Sequence, residues 1–159
     1  MTSEPGGDAA AGPVQEQEQQ TAQEKAERSA ATMWAADDAS RALGMELLEV
    51  APGRARLRMT VRPDMVQGHG TCHGGVLFSF CDSAFAFACN SAGEVTVGSS
   101  AEITWVAPAH VGDVLVADAE EEIRYGRSGV TRVRVTRESD GVLVAVFTGR
   151  SRSLGRPIS

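Results

Sequence analysis

The sequence has 159 residues, of which 42% are hydrophobic and 23% charged, and its formal net charge is -6 at pH 7. That length fits one domain with a sizeable core, and the negative balance argues against a general nucleic-acid partner, which would need many cations along the phosphates. No apolar run approaches the roughly 20 residues that cross a bilayer, and the N-terminus lacks the pattern of a secretory signal. We therefore expect a cytoplasmic protein without a membrane partner.

The chain contains three cysteines, Cys72, Cys81 and Cys89, all within one short region. On one helix, Cys81 and Cys89 would be about 12 Å apart at the usual rise per residue. That separation is too large for a disulfide. The pattern therefore predicts reduced thiols in a reducing compartment.

The first 32 residues are rich in Gly, Ala, Gln, Glu and Pro and poor in large apolar side chains. Such a composition predicts a disordered tail over residues 1–32, although the stretch 20–31 has a helix-forming composition. We expect the ordered domain to cover residues 33–159. It would begin with a short helix that carries Met33 and Trp34 and ends at Gly44.

Residues 54–61 alternate apolar and polar side chains, which predicts a half-buried strand. The loop QGHGTCHGG follows Pro63. Residues 74–91 are then predicted to form a helix, because apolar side chains recur at spacings of three and four residues. Apolar groups also occupy most of its other faces, so this helix is expected to be buried, and Gly93 ends it.

Four long alternating segments rich in Val, Ile and Thr follow the helix, at residues 95–106, 114–125, 130–137 and 142–153. Turn sequences separate them. The predicted order is two strands, a buried helix and four antiparallel strands. The fold class is therefore α+β, with an antiparallel sheet packed on one long helix.

Asp82 is a carboxylate inside this apolar helix. Burying an unpaired carboxylate is costly, and residues that break the local pattern in this way are often functional. A purely structural interpretation is also open, in which Asp82 lies on an exposed stripe or accepts hydrogen bonds from a strand.

The pair Gly74–Gly75 opens the helix, and its free backbone amides can bind a developing negative charge. Asp82 follows Gly74 by eight residues, which is about 12 Å along the helix axis. One helix cannot bring both groups to the same reacting atom. If both act, Asp82 comes from a second copy of the chain, and the site lies at a subunit boundary.

The segment HGTCHGGVLFSFCDSAFAFACNSAG at 69–93, followed by GSSAEITWVAPAHVGD, resembles the phenylacetic acid degradation thioesterases of the hotdog superfamily. The likeness extends from about Met33 to Gly155. It implies a sheet wrapped around a central helix, and subunits paired into dimers and further into tetramers.

The resemblance also implies roles for three residues of the motif. The backbone N–H of Gly74 would polarise the carbonyl of an acyl-CoA thioester, and His73 would shape the loop before it. Asp82 of the partner chain would act as a general base on water or as a nucleophile.

The resemblance concerns three further positions, one of which departs from the family pattern. Ser99 corresponds to a position where relatives carry a hydroxyl that assists the water, and Arg127 would meet a phosphate of CoA. Gln67 stands where the family commonly has Asn, seven residues before the Gly of the oxyanion hole. The amide chemistry is the same on a longer arm, so altered positioning rather than lost activity is expected.

The group His69, Cys72, His73 and Asp82 could suggest a metal site, but the usual paired ligand spacing is missing. We expect no metal and no cofactor, since CoA is part of the substrate. Cys72 as a nucleophile has no support beyond its neighbour His73. The arginines at 150, 152 and 156 are expected to form a solvated end, with contact to a CoA phosphate as the lesser alternative.

Three functions are compatible with this motif. The leading one is hydrolysis of small acyl-CoA thioesters, of the phenylacetyl-CoA or hydroxyphenylacetyl-CoA type by resemblance. The alternatives are a non-catalytic acyl-CoA sensor, against which Asp82 argues, and a hotdog hydratase, which would need His73 and Asp82 at one carbon. The acyl group, and dimer against tetramer, stay open at the level of sequence.

Overall fold

The computed structural model describes residues 13–159. In that part of the chain, three helices and six strands follow one another: α1 (Pro13–Ala36), α2 (Asp38–Ala42), β1 (Glu46–Ala51), β2 (Arg54–Thr60), α3 (Gly74–Cys89), β3 (Glu94–Trp105), β4 (Val114–Tyr125), β5 (Ser128–Arg137) and β6 (Leu143–Pro157). A single 3-10 turn, Pro63–Met65, lies between β2 and α3.

The six strands form one antiparallel sheet in the order β1-β2-β4-β5-β6-β3. The sheet packs around α3, which contacts all six strands and most extensively the central ones. The predicted α+β architecture, an antiparallel sheet wrapped around one long helix, is confirmed. In this order the twelve-residue strand β3 lies at one edge, with β6 as its neighbour.

The core lies between α3 and the concave face of the sheet. Its largest fully buried side chains include Phe80 and Phe87 of α3 and Phe147 of β6. The sequence predicted this burial from the apolar content of the helix. The helix ends at Cys89, two residues earlier than predicted, because Asn90 caps it.

Asn90 ties the end of α3 to the start of β3. Its side-chain Nδ2 donates to the carbonyl of Thr96 at 2.8 Å, and its Oδ1 accepts from the Thr96 N–H at 2.8 Å. The Asn90 side chain thus satisfies both backbone groups of a strand residue inside the core. This contact fixes the helix relative to the edge strand.

Two glycines of the sheet make room for Phe85 of α3. A Cβ atom built on Gly149 of β6 would lie 2.8 Å from the Phe85 ring, and one built on Gly98 of β3 would lie 3.2 Å from it. The Phe85 ring therefore occupies the volume that side chains would fill on these strands. Helix and sheet approach more closely here than any side chain at Gly149 would allow.

The expected disorder of residues 1–32 is corrected for residues 13–32, which form most of α1. The helix contacts β1 and carries three small buried side chains, Ala26, Ser29 and Ala30. Of these, Ser29 lies beside Gly93. The Gln23 side chain donates to the Val50 carbonyl at 2.9 Å. The expectation for residues 1–12 lies outside the described residues.

The predicted single helix up to Gly44 is two helices in the structure. Asp37 interrupts it and caps α2 by accepting from the Ser40 N–H at 2.9 Å. The Ser40 hydroxyl is then hydrogen-bonded to Asp37 at 2.6 Å and to Ser83 of α3 at 2.7 Å. This chain of hydrogen bonds attaches the N-terminal segment to the central helix.

The longest helix, α1, has 24 residues but is polar, and none of the described helices is both long and apolar enough to span a bilayer.

Replacing Gly149 with Ala tests the close approach of Phe85 to the sheet. We expect the free energy of unfolding to fall by about 1–3 kcal/mol, the usual cost of overpacking a core. Urea denaturation at fixed protein concentration measures it. The control is Gly68→Ala, because a Cβ at Gly68 meets nothing within 4 Å. Equal stabilities of the two variants would contradict the packing described for Phe85.

Candidate active site

The loop before α3 is held by backbone hydrogen bonds to two other segments. The His73 N–H donates to the Met65 carbonyl at 2.8 Å, and the Cys72 N–H donates to the Ala109 carbonyl at 2.8 Å. The first bond attaches the loop to the 3-10 turn, and the second attaches it to the segment between β3 and β4. The start of α3 is therefore fixed in place from both sides.

His73 satisfies the amides at the start of the helix, with one exception. Its ring Nδ1 accepts from the Gly75 N–H at 2.8 Å, and its carbonyl accepts from Val76 and Leu77 at 2.9 and 3.2 Å. Within residues 13–159 the Gly74 N–H donates to no acceptor. An unpaired amide at a helix start, with the helix dipole behind it, is suited to stabilising an oxyanion.

The cap defines the tautomer of His73. Because Nδ1 accepts a hydrogen bond from Gly75, the ring proton of the neutral imidazole is on Nε2. The side chain is exposed, so this Nε2–H group points away from the helix start. The His73 side chain thus binds the backbone at the start of α3.

Both ends of the Gln67 amide are engaged within the loop. Nε2 donates to the Thr71 hydroxyl at 2.8 Å, and Oε1 accepts from the His69 N–H. The backbone of Gln67 also pairs with Thr71, at 3.0 Å. Gln67 therefore shapes the loop that leads to Gly74.

A cleft of about 450 Å³ opens at the start of α3. Ten residues line it: Gln67, Thr71, Cys72, Gly74, Leu77, Trp105, Val106, Ala107, Pro108 and Ala109. Gln67 and Gly74 are thus brought together, and most of the remaining wall is apolar. Sequence reasoning missed Trp105, because its meeting with Gly74 depends on where β3 ends in three dimensions.

Asp82 lies on an exposed stripe of α3 rather than among the apolar groups of the helix. Gly75, Ser79 and Asp82 are all exposed and follow one another at spacings of three and four residues. Among the structural alternatives, the exposed stripe is the one found. Within the described part of the chain, no group donates a hydrogen bond to this carboxylate or pairs with it.

The pKa of Asp82 is raised above its ordinary value by desolvation. Although the side chain reaches the surface of the chain, the apolar helix and sheet around its base exclude part of the surrounding water. Desolvation disfavours the charged form of a carboxyl group. A raised pKa of this kind makes the carboxylate a better proton acceptor.

Asp82 is not part of the cleft that contains Gly74. Eight residues of helix separate the two, which is about 12 Å. The single chain therefore presents an oxyanion donor and an unpaired carboxylate on one helix without bringing them together.

Ser99 lies on the edge strand β3, at an irregularity between Gly98 and Ser100. Its hydroxyl donates to the Arg150 carbonyl of β6 at 3.0 Å. With its proton used in this way, the Ser99 oxygen retains lone pairs that can accept from a water molecule. Ser99 is exposed and lies outside the cleft at Gly74.

Arg127 lies in the turn between β4 and β5, also away from the cleft. Its Nε donates to the Ser153 carbonyl at 3.1 Å, which orients the guanidinium beside Gly155. Arg150 and Arg152 are exposed on the neighbouring strand β6. In residues 13–159 none of these three arginines forms an ion pair with an acid.

The three cysteines are free thiols, and all are buried. Burial raises the pKa of Cys72 to about 11 and that of Cys81 and Cys89 to about 12. Cys72 lines the cleft, but at neutral pH it is a neutral thiol and therefore a poor nucleophile.

Comparison with known proteins gives a consistent result. The family model described as the thioesterase superfamily matches residues 69–144. The acyl-coenzyme A thioesterase PaaI of Escherichia coli K12 is 37% identical over 135 residues, which are 85% of this chain and 96% of the relative. The human acyl-coenzyme A thioesterase 13 is 31% identical over 109 residues, covering 66% of this chain and 77% of the relative.

Solved structures agree with the sequence relatives. The E. coli PaaI protein from the phenylacetic acid degradation operon superimposes with a TM-score of 0.83 at 36% identity, covering 86% of this chain and 99% of that one. The TT0310 protein of Thermus thermophilus superimposes with a TM-score of 0.69 at 40% identity, covering 72% of this chain and 96% of that one. The chain belongs to the thioesterase superfamily and has its hotdog fold, in the branch that contains PaaI.

Chemical modification tests the inertness of the thiols. With the folded protein at pH 8, we expect no reaction with a disulfide reagent within minutes, because the thiols are buried and protonated. In urea all three cysteines should react.

Replacing Cys72 with Ser should leave thioester hydrolysis within about threefold of wild type, since a neutral thiol does not act as the nucleophile. Loss of hydrolysis in this variant, with its fold intact, would make Cys72 a participant.

Proposed function

We propose that this protein hydrolyses small acyl-CoA thioesters to the free acid and CoA at a site shared by two copies of the chain. The observation that carries the proposal is the amide of Gly74 at the start of α3, in a largely apolar cleft, together with the carboxylate of Asp82 on the same helix, both without a partner among residues 13–159. These are the two groups that thioester hydrolysis requires. The names of the E. coli and human relatives support the same activity.

The chemistry follows from these two groups. The thioester oxygen accepts from the Gly74 N–H, which stabilises the negative charge as the carbonyl carbon becomes tetrahedral. Asp82 removes a proton from the attacking water, or attacks the carbonyl itself to form a transient anhydride that water then opens. In the first route the C–S bond of the tetrahedral intermediate breaks, and Asp82 passes the proton it took from water to the CoA sulfur. In the second route the C–S bond breaks when Asp82 attacks, water then opens the anhydride, and the proton that this water gives up neutralises the CoA thiolate. Both routes release the carboxylic acid and CoA and leave Asp82 unmodified.

The partner chain enters because of the distance along α3. A carbonyl carbon bound at Gly74 is about two helical turns from Asp82 of the same chain. Antiparallel pairing of two α3 helices along their exposed stripes would place Asp82 of each beside Gly74 of the other. The edge strand β3 supports such a dimer, because the part of the chain described here leaves its outer side without a strand. Two such dimers would form the proposed homotetramer.

Supporting roles are proposed for four residues. His73 and Gln67 keep the loop in the conformation that leaves the Gly74 amide unpaired. Ser99 accepts a hydrogen bond from the attacking water, and Arg127 binds a CoA phosphate through its terminal nitrogens. A local cation of this kind is needed, since the chain as a whole carries a charge of -6.

The substrate proposed is phenylacetyl-CoA or its ring-hydroxylated form. The cleft is mostly apolar, and the E. coli structure comes from a phenylacetic acid degradation operon. We further propose that the enzyme acts in the cytoplasm and uses no metal or other cofactor, since CoA is part of the substrate.

Mixing two inactive variants tests the shared site. Gly74→Pro removes the N–H at a helix position where proline is well tolerated, and it should lower kcat about 100- to 1000-fold. Asp82→Ala removes the carboxylate and should lower kcat at least about 100-fold. In an equal mixture about half of the dimers contain one chain of each kind, and one of the two sites in such a dimer is intact. The mixture should therefore recover roughly a quarter of wild-type activity. The assay is release of CoA thiol from phenylacetyl-CoA.

Two controls make this experiment specific. Gly74→Ala introduces the same Cβ as proline, which presses on the Trp105 indole in both variants, but it retains the N–H. The activity of Gly74→Ala should therefore exceed that of Gly74→Pro, and the difference reports the loss of the N–H. In a mixture of Gly74→Pro with the double variant Gly74→Pro/Asp82→Ala, no chain retains Gly74, so this mixture should stay inactive. If the two single variants do not complement while both form mixed dimers, the shared site is wrong.

The pH dependence of hydrolysis tests the role of Asp82. The pKa of Asp82 is raised above the ordinary value of 3.8, and only the deprotonated form removes a proton or attacks. Activity should therefore fall as the pH decreases through the raised pKa, so that the acid limb of kcat/KM lies above 3.8. In the residual activity of Asp82→Asn this limb should be absent. An unchanged acid limb in that variant would assign it to another group.

A further inference from the structure

The indole of Trp105 takes the place that a side chain would have at Gly74. A Cβ atom built on Gly74 would lie 3.0–3.1 Å from three atoms of the indole, Cε2, Cζ2 and Nε1. The indole Nε1–H also donates to the Gly74 carbonyl at 3.3 Å. The residue that carries the unpaired amide is thus held from the side by Trp105, at the end of β3.

In the isolated chain the same indole is 56% exposed, although one of its edges contacts the helix start. It forms part of the wall of the cleft at Gly74, beside Leu77, Val106 and Pro108. A large aromatic surface left open in an apolar cleft favours a ligand that covers it. Planar aromatic groups do this best, because offset stacking adds to the burial of area.

We propose that Trp105 is a specificity-determining and positioning residue, whose indole stacks on an aryl ring of the acyl group and whose N–H orients Gly74. This proposal rests on the proposed thioesterase function. A thioester oxygen on the Gly74 N–H brings the acyl substituent into the cleft that Trp105 lines. The CoA sulfur then faces the opening. Trp105 would then be the residue that favours the arylacetyl thioesters already proposed over short alkyl ones.

The two roles of Trp105 are separable by substitution. Trp105→Phe retains a ring but removes the donor to Gly74, so kcat should fall about three- to tenfold for aryl and alkyl substrates alike. Trp105→Leu removes the ring as well, and the ratio of kcat/KM for phenylacetyl-CoA to that for butyryl-CoA should fall by a further factor of about 10. If Trp105 had a purely structural role, its replacement would lower kcat/KM for both substrates equally and leave this ratio unchanged.

Tyr125 provides a matched control, because it is another aromatic side chain with 56% exposure, on β4 away from the cleft. Tyr125→Leu should leave the ratio of the two substrates unchanged. If Trp105→Leu also leaves it unchanged, Trp105 does not determine specificity. If the wild-type protein hydrolyses neither thioester, the proposed function fails, and the binding experiment described next still tests the stacking.

Fluorescence provides a readout that needs no turnover, since the chain has two tryptophans, Trp34 and Trp105. In Trp34→Phe the emission comes from Trp105 alone. Phenacyl-CoA, a thioether that cannot be hydrolysed as a thioester, should quench it, while acetonyl-CoA, the matching analogue without a ring, should do so much less. Trp105→Phe, which retains only Trp34, should not respond. Binding of phenacyl-CoA without a change in Trp105 emission would overturn the proposal.

Discussion

Four backbone amides at the start of a helix have no acceptor within the helix, and at α3 the assignment of these four organises the whole site. His73 donates to Met65, while Gly75 and Val76 donate to the ring and the carbonyl of His73. One donor, that of Gly74, is left over. Hydrogen bonds to the 3-10 turn and to Ala109 hold the loop from Gln67 to His73 in place. These bonds therefore fix the position of the Gly74 N–H.

A second constraint is the distance of about 12 Å along α3 between Gly74 and Asp82. Because of this distance, the proposed activity depends on dimer formation. The helix is buried on most sides by its own sheet, yet the stripe that includes Ser79 and Asp82 remains exposed. The long edge strand β3 is fixed to the same helix by Asn90 and Phe85. In the proposed dimer, helix stripe and strand edge belong to one surface, so that the partner that covers the strand also covers Asp82.

Much of this fold followed from local patterns. The Gly-Gly start of α3, its apolar periodicity and the alternating strands are signals within a few residues, and the structure places them as predicted. The resemblance added the sheet wrapped around the helix. Local signals also contained the exposed stripe of α3, since Gly75, Ser79 and Asp82 are its small or polar residues at helical spacing. An exposed stripe was therefore one of the alternatives for Asp82, but the apolar groups on the other faces favoured burial of the whole helix.

The sequence did not predict features that depend on contacts between residues distant in the chain. Residues 13–32 of α1 were expected to be disordered because they lack large apolar groups, but this helix contacts β1 and buries the small side chains Ala26, Ser29 and Ala30. Trp105 lies 31 residues after Gly74. Nothing near either residue in the sequence indicates that the end of β3 returns to the start of α3.

The irregularity at Ser99 has a consequence for the newly made chain. A strand of twelve residues that no other strand of residues 13–159 pairs on one side can add strands from other unfolded chains and so begin aggregation. The break in register between Gly98 and Ser100 bends this edge locally and interrupts its row of amides and carbonyls. A foreign strand that approaches before folding is complete can pair over only part of β3, whereas a partner with the same irregularity can match it.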